Sequence, residues 1–402
     1  MRKVIAFLGA NPQKAAYSYH HHTYDGRAFP EVLHHFIDYD QMIVFVTRQA
    51  REKSWPILEA LNDPRIEPVD IPDGRDSAEM WEIFTRLTGA VEEGDTVIFD
   101  ITHAFRSIPF FVFLAVAFLK SAYENVTIER VLYGALGLDD PAPVIDLTEF
   151  AGLLDWMSAT DHFVRSGNSQ ALAERVEAAG RSGSGTTEDR AKLIALADSL
   201  GDVSQSLRLL IPDRAMIAGH RLQHNLRAAR DPLQRALPPF LPLAERVDKA
   251  FRLLAMSGPR ATGQIWLSLR RERAMVDWYL DRQLLLQAIA LAFEWLISYG
   301  IAHLGYETLY DGNIRWAVRQ HYTTINNQRK RDTGGSAKLD HACDALRDIP
   351  DLPRVLDLYQ RASKTRNDLM HASKTVHPRH TPATREDETR AICRELAGFS
   401  LK

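Results

Sequence analysis

The chain has 402 residues, 45% of them hydrophobic and 25% charged, enough for two or three domains with a core in each. Its formal net charge of −3 excludes a chain-wide basic field as the means of recruiting nucleic acid, so any RNA contact must rest on local clusters. The only cysteines, Cys343 and Cys393, exclude a zinc-finger framework and allow at most one disulfide, which suits a reducing, cytoplasmic setting.

In chain order, Val4 to Gly9 reads as a buried strand, and Asn11, Pro12 and Gln13 end its apolar run too early for a secretory signal. Tyr17 to Tyr24 alternates aromatic and polar residues and predicts a hairpin. Three histidines in a row, His20 to His22, would point to opposite faces of a strand, which argues against a shared metal. Phe29 to Phe36 predicts a helix, Gln41 to Val46 a strand, Trp55 to Leu61 a helix and Ile66 to Val69 a strand. Ala78 to Val91 carries Met80, Ile83, Phe84 and Leu87 on one helical face. Thr96 to Ile101 has the continuous apolar character of a central parallel strand. Ile108 to Ala122 predicts a buried helix; its most apolar part, Ile108 to Leu119, is too short to span a bilayer. Ile128 to Ala135 and Val144 to Leu147 predict strands around a turn at Gly137 to Pro143. A helix begins near Thr148, whose hydroxyl is expected to cap it.

Strands alternating with helices imply a doubly wound, largely parallel sheet. The run GRSGSGTTED at 180–189 predicts a flexible loop. Beyond it strand signals vanish, and helical periodicity covers Ala191 to Leu210, Leu243 to Ser257, Arg271 to Ile301 and Val355 to Ser373, with a basic loop expected at Gln328 to Lys338. The expected fold class is thus α/β plus all-α: an α/β domain at 1–155, a helical linker at 156–190 and a helical domain at 191–402.

Ligands on open parallel sheets bind beyond the carboxyl ends of the strands. Two such ends stand out: Gly9, Ala10, Asn11 and Gln13 after the first strand, and Thr102, His103, Ala104, Phe105, Arg106 and Ser107 between the central strand and its helix. The second offers side-chain donors and a helix start to an anionic ligand. Neither matches GxGxxG or a P-loop, so neither a dinucleotide enzyme nor an NTPase is supported.

Near the carboxyl terminus stands Arg366-Asn367-Asp368-Leu369-Met370-His371. On a helix Arg366 and His371 lie about 140° and about 7.5 Å apart, with Asn367 sharing a face with His371 at i, i+4. Ser363 and Lys374 fall on the same polar seam, beside an apolar stripe of Val355, Leu358, Ala362 and Leu369. Histidine suits proton transfer near neutral pH, arginine stabilises charge on a phosphate, and Asn367 is positioned to orient His371 or a phosphate oxygen. Together they fit RNA cleavage without a metal. Comparable spacings occur at Arg27…His34, Arg214…His220 and Arg315…His321, so spacing alone decides little; the asparagine and the helical setting single out 366–371.

Four stretches, FLGANPQKAAYSY at 7–19, DITHAFRSIPF at 100–110, YGALG with VIDLTEF at 133–150, and RNDLMHA at 366–372, resemble the CRISPR-associated accessory ribonucleases of type III systems. These pair a CARF sensor domain with a HEPN effector domain. The resemblance implies a Rossmann-like CARF homodimer that binds a cyclic oligoadenylate, with cyclic tetra-adenylate suggested by the family branch, in a cleft lined by 9–14 and 102–107. It further implies a composite HEPN site in which Arg366, Asn367 and His371 cut single-stranded RNA without a metal, leaving a 2′,3′-cyclic phosphate and a 5′-hydroxyl. Some CARF domains also degrade their activator. Ala104 stands where the family pattern has glycine. The expected partners are RNA, the cyclic oligoadenylate and a second copy, with no membrane and no stable DNA binding. Competing readings are a nucleotide-responsive transcription regulator, for which Ala317 to Thr324 is too short a recognition helix, and a catalytically silent HEPN module.

Overall fold

In this computed structural model, which describes residues 1–102, 108–182, 185–236, 240–330, 346, 348–371 and 381–401, two compact units divide between Asp155 and Trp156. The first contains strands β1 (Arg2–Leu8), β2 (Ala15–Tyr19), β3 (His22–Gly26), β4 (Gln41–Val46), β5 (Ile66–Asp70), β6 (Thr96–Asp100), β7 (Thr127–Gly134) and β8 (Ala142–Asp146). Its helices are α1 (Phe29–Phe36), α2 (Arg48–Lys53), α3 (Trp55–Glu59), α4 (Ser77–Gly89) and α5 (Ile108–Ala122).

The sheet order is β3-β2-β8-β7-β6-β1-β4-β5. From β5 to β7 every pairing is parallel, while β8 runs antiparallel to β7 and β3 antiparallel to β2. Successive residues of β1 alternate between two cores, as the pleat requires. Val4, Ala6 and Leu8 join α1 and α3 residues such as Phe29 and Leu58, whereas Ile5 and Phe7 join Ile83, Leu87, Val112 and Val116 of α4 and α5. The expected doubly wound, largely parallel sheet is present. His20 and His21 form the β2–β3 turn, with His20 in a left-handed conformation, and only His22 lies on a strand.

The helix α6 (Thr148–Ser166) opens differently from expectation. The Thr148 hydroxyl accepts the Val131 backbone N–H of β7 at 2.9 Å, and it is Asp146 that accepts the Thr148 backbone N–H, at 2.9 Å. Asp146 does the capping because the threonine is needed to tie the helix start to the sheet.

The second unit is helical throughout its described residues: α7 (Gln170–Ser182), α8 (Thr187–Arg208), α9 (Pro212–Ala228), α10 (Arg230–Ala236), α11 (Leu241–Phe251), α12 (Ile265–Asp281), α13 (Leu285–His303), α14 (Gly312–Lys330), α15 (Leu352–Met370) and α16 (Pro382–Glu395). Thr186 begins α8 with a capping box, its hydroxyl on the Asp189 N–H and the Asp189 carboxylate on the Thr186 N–H. The stretch 156–190, expected as a linker, instead contributes Ala159, Phe163, Leu172 and Val176 to the core of this unit.

Further helices differ from the sequence reading: that expected over Leu243 to Ser257 is α11, which ends at Phe251. The periodicity over Arg271 to Ile301 is split into α12 and α13. Gln283 adopts φ +59° there, and the Leu284 N–H bonds back to the Tyr279 carbonyl at 2.9 Å, a Schellman-type ending made without glycine. Residues 328–330 of the expected basic loop continue α14, and the rest of that stretch lies outside the described residues. Ala317 to Thr324 is correspondingly the middle of a 19-residue helix. By length and composition α13 could cross a membrane, yet 72% of its apolar window is buried, among α12, α14, α15 and α16. It is the central helix of this core.

Candidate functional site

At the carboxyl ends of the parallel strands β1 and β6 are neighbours, and α1, on the way from β1 to β4, packs on one face of the sheet while α5, after β6, packs on the other. That reversal is the switch point at which doubly wound sheets leave a crevice. Gly9 and Ala10 leave β1 half-buried, while Asn11 and Gln13 are exposed. Thr102 follows β6, donating its N–H to Asp100 Oδ1 at 2.7 Å and accepting the Gly134 N–H on its hydroxyl at 2.8 Å. His103, Ala104, Phe105, Arg106 and Ser107 lie outside the described residues.

Beneath this end sits a group the sequence reading passed over. Asp100 is fully buried, and its Oδ2 has no hydrogen-bond partner among the described residues. Burial pushes its carboxyl up to about 7, against the pull of the Thr102 hydrogen bonds. The strand pattern around it gave no signal, because a polar residue ending a buried strand reads as the start of a loop.

In the helical unit α15 carries the second candidate. Val355, Leu358 and Ala362 are buried and Leu369 is packed against the core, so the apolar stripe faces inward and the polar seam outward. The Arg366 guanidinium lies 4.4 Å from the centroid of the Phe293 ring on α13 and 3.9 Å from Glu294 Oε1. Asn367 Oδ1 accepts from Arg366 Nη2 at 2.7 Å and from Nε at 3.2 Å. The asparagine side chain therefore holds the arginine, rather than the histidine expected from i, i+4 spacing. His371 is exposed at the end of α15, its N–H on the Asn367 carbonyl at 2.9 Å. Ser363 is half-buried, and Lys374 lies outside the described residues.

Around Arg366 the charges are organised. Glu294 takes a 2.6 Å bond from Arg315, which also donates to Ser298 and to the Leu309 carbonyl. Arg315 is thus fully used in structure, which disposes of the Arg315…His321 spacing. Arg319 also packs on Phe293, at 5.4 Å, and is exposed. The candidate site comprises the Arg366 guanidinium fixed by Asn367, the Arg319 guanidinium at the same Phe293 ring, and the exposed His371 at the end of the helix. Such a set can hold a phosphodiester and move protons at its oxygens. Among the described residues no three His, Cys, Asp or Glu side chains gather in a way that could hold a metal ion.

The fold and its two candidate sites define a protein with a doubly wound α/β unit, whose switch point lies between β1 and β6, followed by a helical unit with an Arg-Asn-His edge. Against known proteins, 26% of the chain is similar to the CRISPR-associated protein MJ1674 of Methanocaldococcus jannaschii, with 34% identity over 110 residues. The resemblance to CRISPR-associated proteins thus has a curated counterpart, although the chain spans only 17% of that relative's length. Among solved structures, Enterococcus italicus Csm6 bound to cyclic hexa-2′-fluoro-hexa-dAMP aligns over 99% of this chain and 94% of its own, at 10% identity and a TM-score of 0.43, a likeness too loose to carry an argument. No family model matches the chain.

Proposed function

We propose that the chain is a cyclic-oligoadenylate-activated endoribonuclease of type III CRISPR defence, acting in the cytoplasm as a homodimer. The observation that carries this reading is the Arg366 guanidinium, fixed by Asn367 and Phe293 on the helix edge that ends in the exposed His371.

In the proposed reaction the ribose 2′-hydroxyl loses its proton and its oxygen bonds to the adjacent phosphorus. The bond from phosphorus to the 5′-oxygen breaks, and that oxygen gains a proton. The products are a 2′,3′-cyclic phosphate and a 5′-hydroxyl. One histidine serves as base and a second, from the partner copy, as acid. Arg366 stabilises the charge building on the non-bridging oxygens. No metal takes part.

The activator's place in this reading is beyond the carboxyl ends of β1 and β6, at Gly9, Ala10, Asn11, Gln13 and Thr102. Cyclic tetra-adenylate is the proposed ligand. Binding gates cutting only if the ligand prefers the competent arrangement of the dimer. Pairing of two copies is supported by the outer face of α5, where Phe110, Phe113, Leu114 and Phe118 are exposed beside Trp81 of α4.

The test is incubation of labelled single-stranded RNA with the protein and cyclic tri-, tetra- or hexa-adenylate, with EDTA present and with His371→Ala as control. Activator-dependent cleavage that survives EDTA and vanishes in the variant supports the reading. Cleavage unaffected by His371→Ala removes the assigned site, and absence of cleavage with every activator leaves a silent module or a regulator.

A further inference from the structure

Away from α15, the helical unit contains a cleft of about 460 Å³ between α9, α10 and α11. Arg227, Arg230, Lys249 and Arg252 line it, all exposed, and none of the four has an ion pair or a side-chain hydrogen bond among the described residues. Two acids share the lining, Glu245 and Asp248, and Asp248 also accepts from Gln223 Nε2 at 3.1 Å. With four cations against two carboxylates, the lining carries a net positive charge of two in a chain whose own net charge is −3.

Helix dipoles explain only part of this placement. Arg227, Lys249 and Arg252 stand at carboxyl ends of helices, where cations are favoured. Arg230 is the first residue of α10, where the dipole opposes a cation, and it lies three positions from Arg227. Such a cluster is stabilised by an anion. The inner wall of the cleft, with Leu226 and Leu233, is apolar. Cations at the rim over an apolar wall match a phosphate chain whose bases are unpaired and free to leave water, as in single-stranded RNA.

We infer that this cleft between α9, α10 and α11 is a second contact site for the single-stranded RNA substrate, holding phosphates several nucleotides from the cut. The inference rests on the nuclease reading above for the identity of the substrate. It adds a binding footprint that Arg366 and His371 do not supply.

The test uses full-length His371→Ala protein, so that labelled single-stranded RNA is bound without being cut, with and without Arg227→Gln, Arg230→Gln and Arg252→Gln together. Binding is expected to weaken at least tenfold, and the slope of log K against log salt to become shallower by about 2, as for three lost phosphate contacts on a single strand. Unchanged affinity and slope would overturn the cleft's role, as would displacement of the RNA by adenosine monophosphate alone at equal phosphate concentration, which would mark a mononucleotide pocket. Circular dichroism accompanies each titration to verify folding, and Lys249→Gln with Arg252→Gln gives a milder pair expected to shift the slope by about 1.4. Wild-type protein that binds RNA through these cations and never cuts it would defeat the nuclease reading while leaving the cleft in place.

Discussion

Arg366 packs its guanidinium over the ring of Phe293, 4.4 Å from the centroid, while that ring stacks on Tyr359 at 5.1 Å. The arginine is thereby aimed by a buried aromatic pair from two helices. Cation–π contact of this kind is worth about 0.5–2 kcal/mol. Phe293→Leu keeps an apolar side chain and removes the ring face. RNA cleavage by the activated protein is expected to fall about tenfold, with far-ultraviolet circular dichroism unchanged. Full activity in this variant would show that the ring plays no part in aiming Arg366.

Replacement of Arg366 by lysine keeps the charge and loses the planar fork that Asn367 grips. Single-turnover cleavage is expected to drop by roughly 10²-fold or more, as when one transition-state donor is removed. RNA affinity measured in the His371→Ala background should change little. A lysine variant with wild-type rate would mean that charge alone suffices.

Asp100 and Glu272 are both buried, and burial pushes each carboxyl up to about 7. A folded-state pKa above the unfolded value means that the native chain holds more protons between about pH 4 and pH 7. Their contribution to stability is present below about pH 4 and is lost as the pH rises through 7. Asp100→Asn and Glu272→Gln should each flatten this decline, raising the melting temperature at pH 8 relative to wild type more than at pH 5. Thermal scans at the two pH values check the sign.

Gly134 ends β7 with its N–H on Thr102, and a methyl group there would sit 2.6 Å from the Phe29 ring and 2.9 Å from the Tyr17 ring. Gly134→Ala is expected to destabilise the α/β unit by about 1–3 kcal/mol through overpacking. Denaturant unfolding measures this, and a neutral result would require both rings to shift freely.

Much of the architecture was legible because burial leaves a period in the sequence. β1, β4 and β6 announced themselves as unbroken apolar runs, and α15 by Val355, Leu358 and Ala362. The break between α12 and α13 did not, since apolar residues continue across it and Gln283, not glycine, takes the left-handed turn. The composition of RNDLMHA was readable, but the role of Asn367 was not. Helical spacing relates it to His371, whereas the partner it holds is Arg366, whose position depends on Phe293 and Glu294 from a helix some seventy residues earlier. The cluster of Arg227, Arg230, Lys249 and Arg252 was hidden for the same reason, because three helices must meet before those cations share a wall.

The central helix α13 carries Phe293 and Glu294 toward Arg366, while its neighbours Trp295 and Leu296 are wholly buried. One rigid rod therefore serves as both keel and tool-rest. A mount of that kind cannot be slackened without scuttling the whole helical unit, so on the proposed reading an on–off device has little to gain by reshaping one guanidinium. The adjustable part is then the meeting of two such mounts, and the idle enzyme would keep each blade sharp but apart.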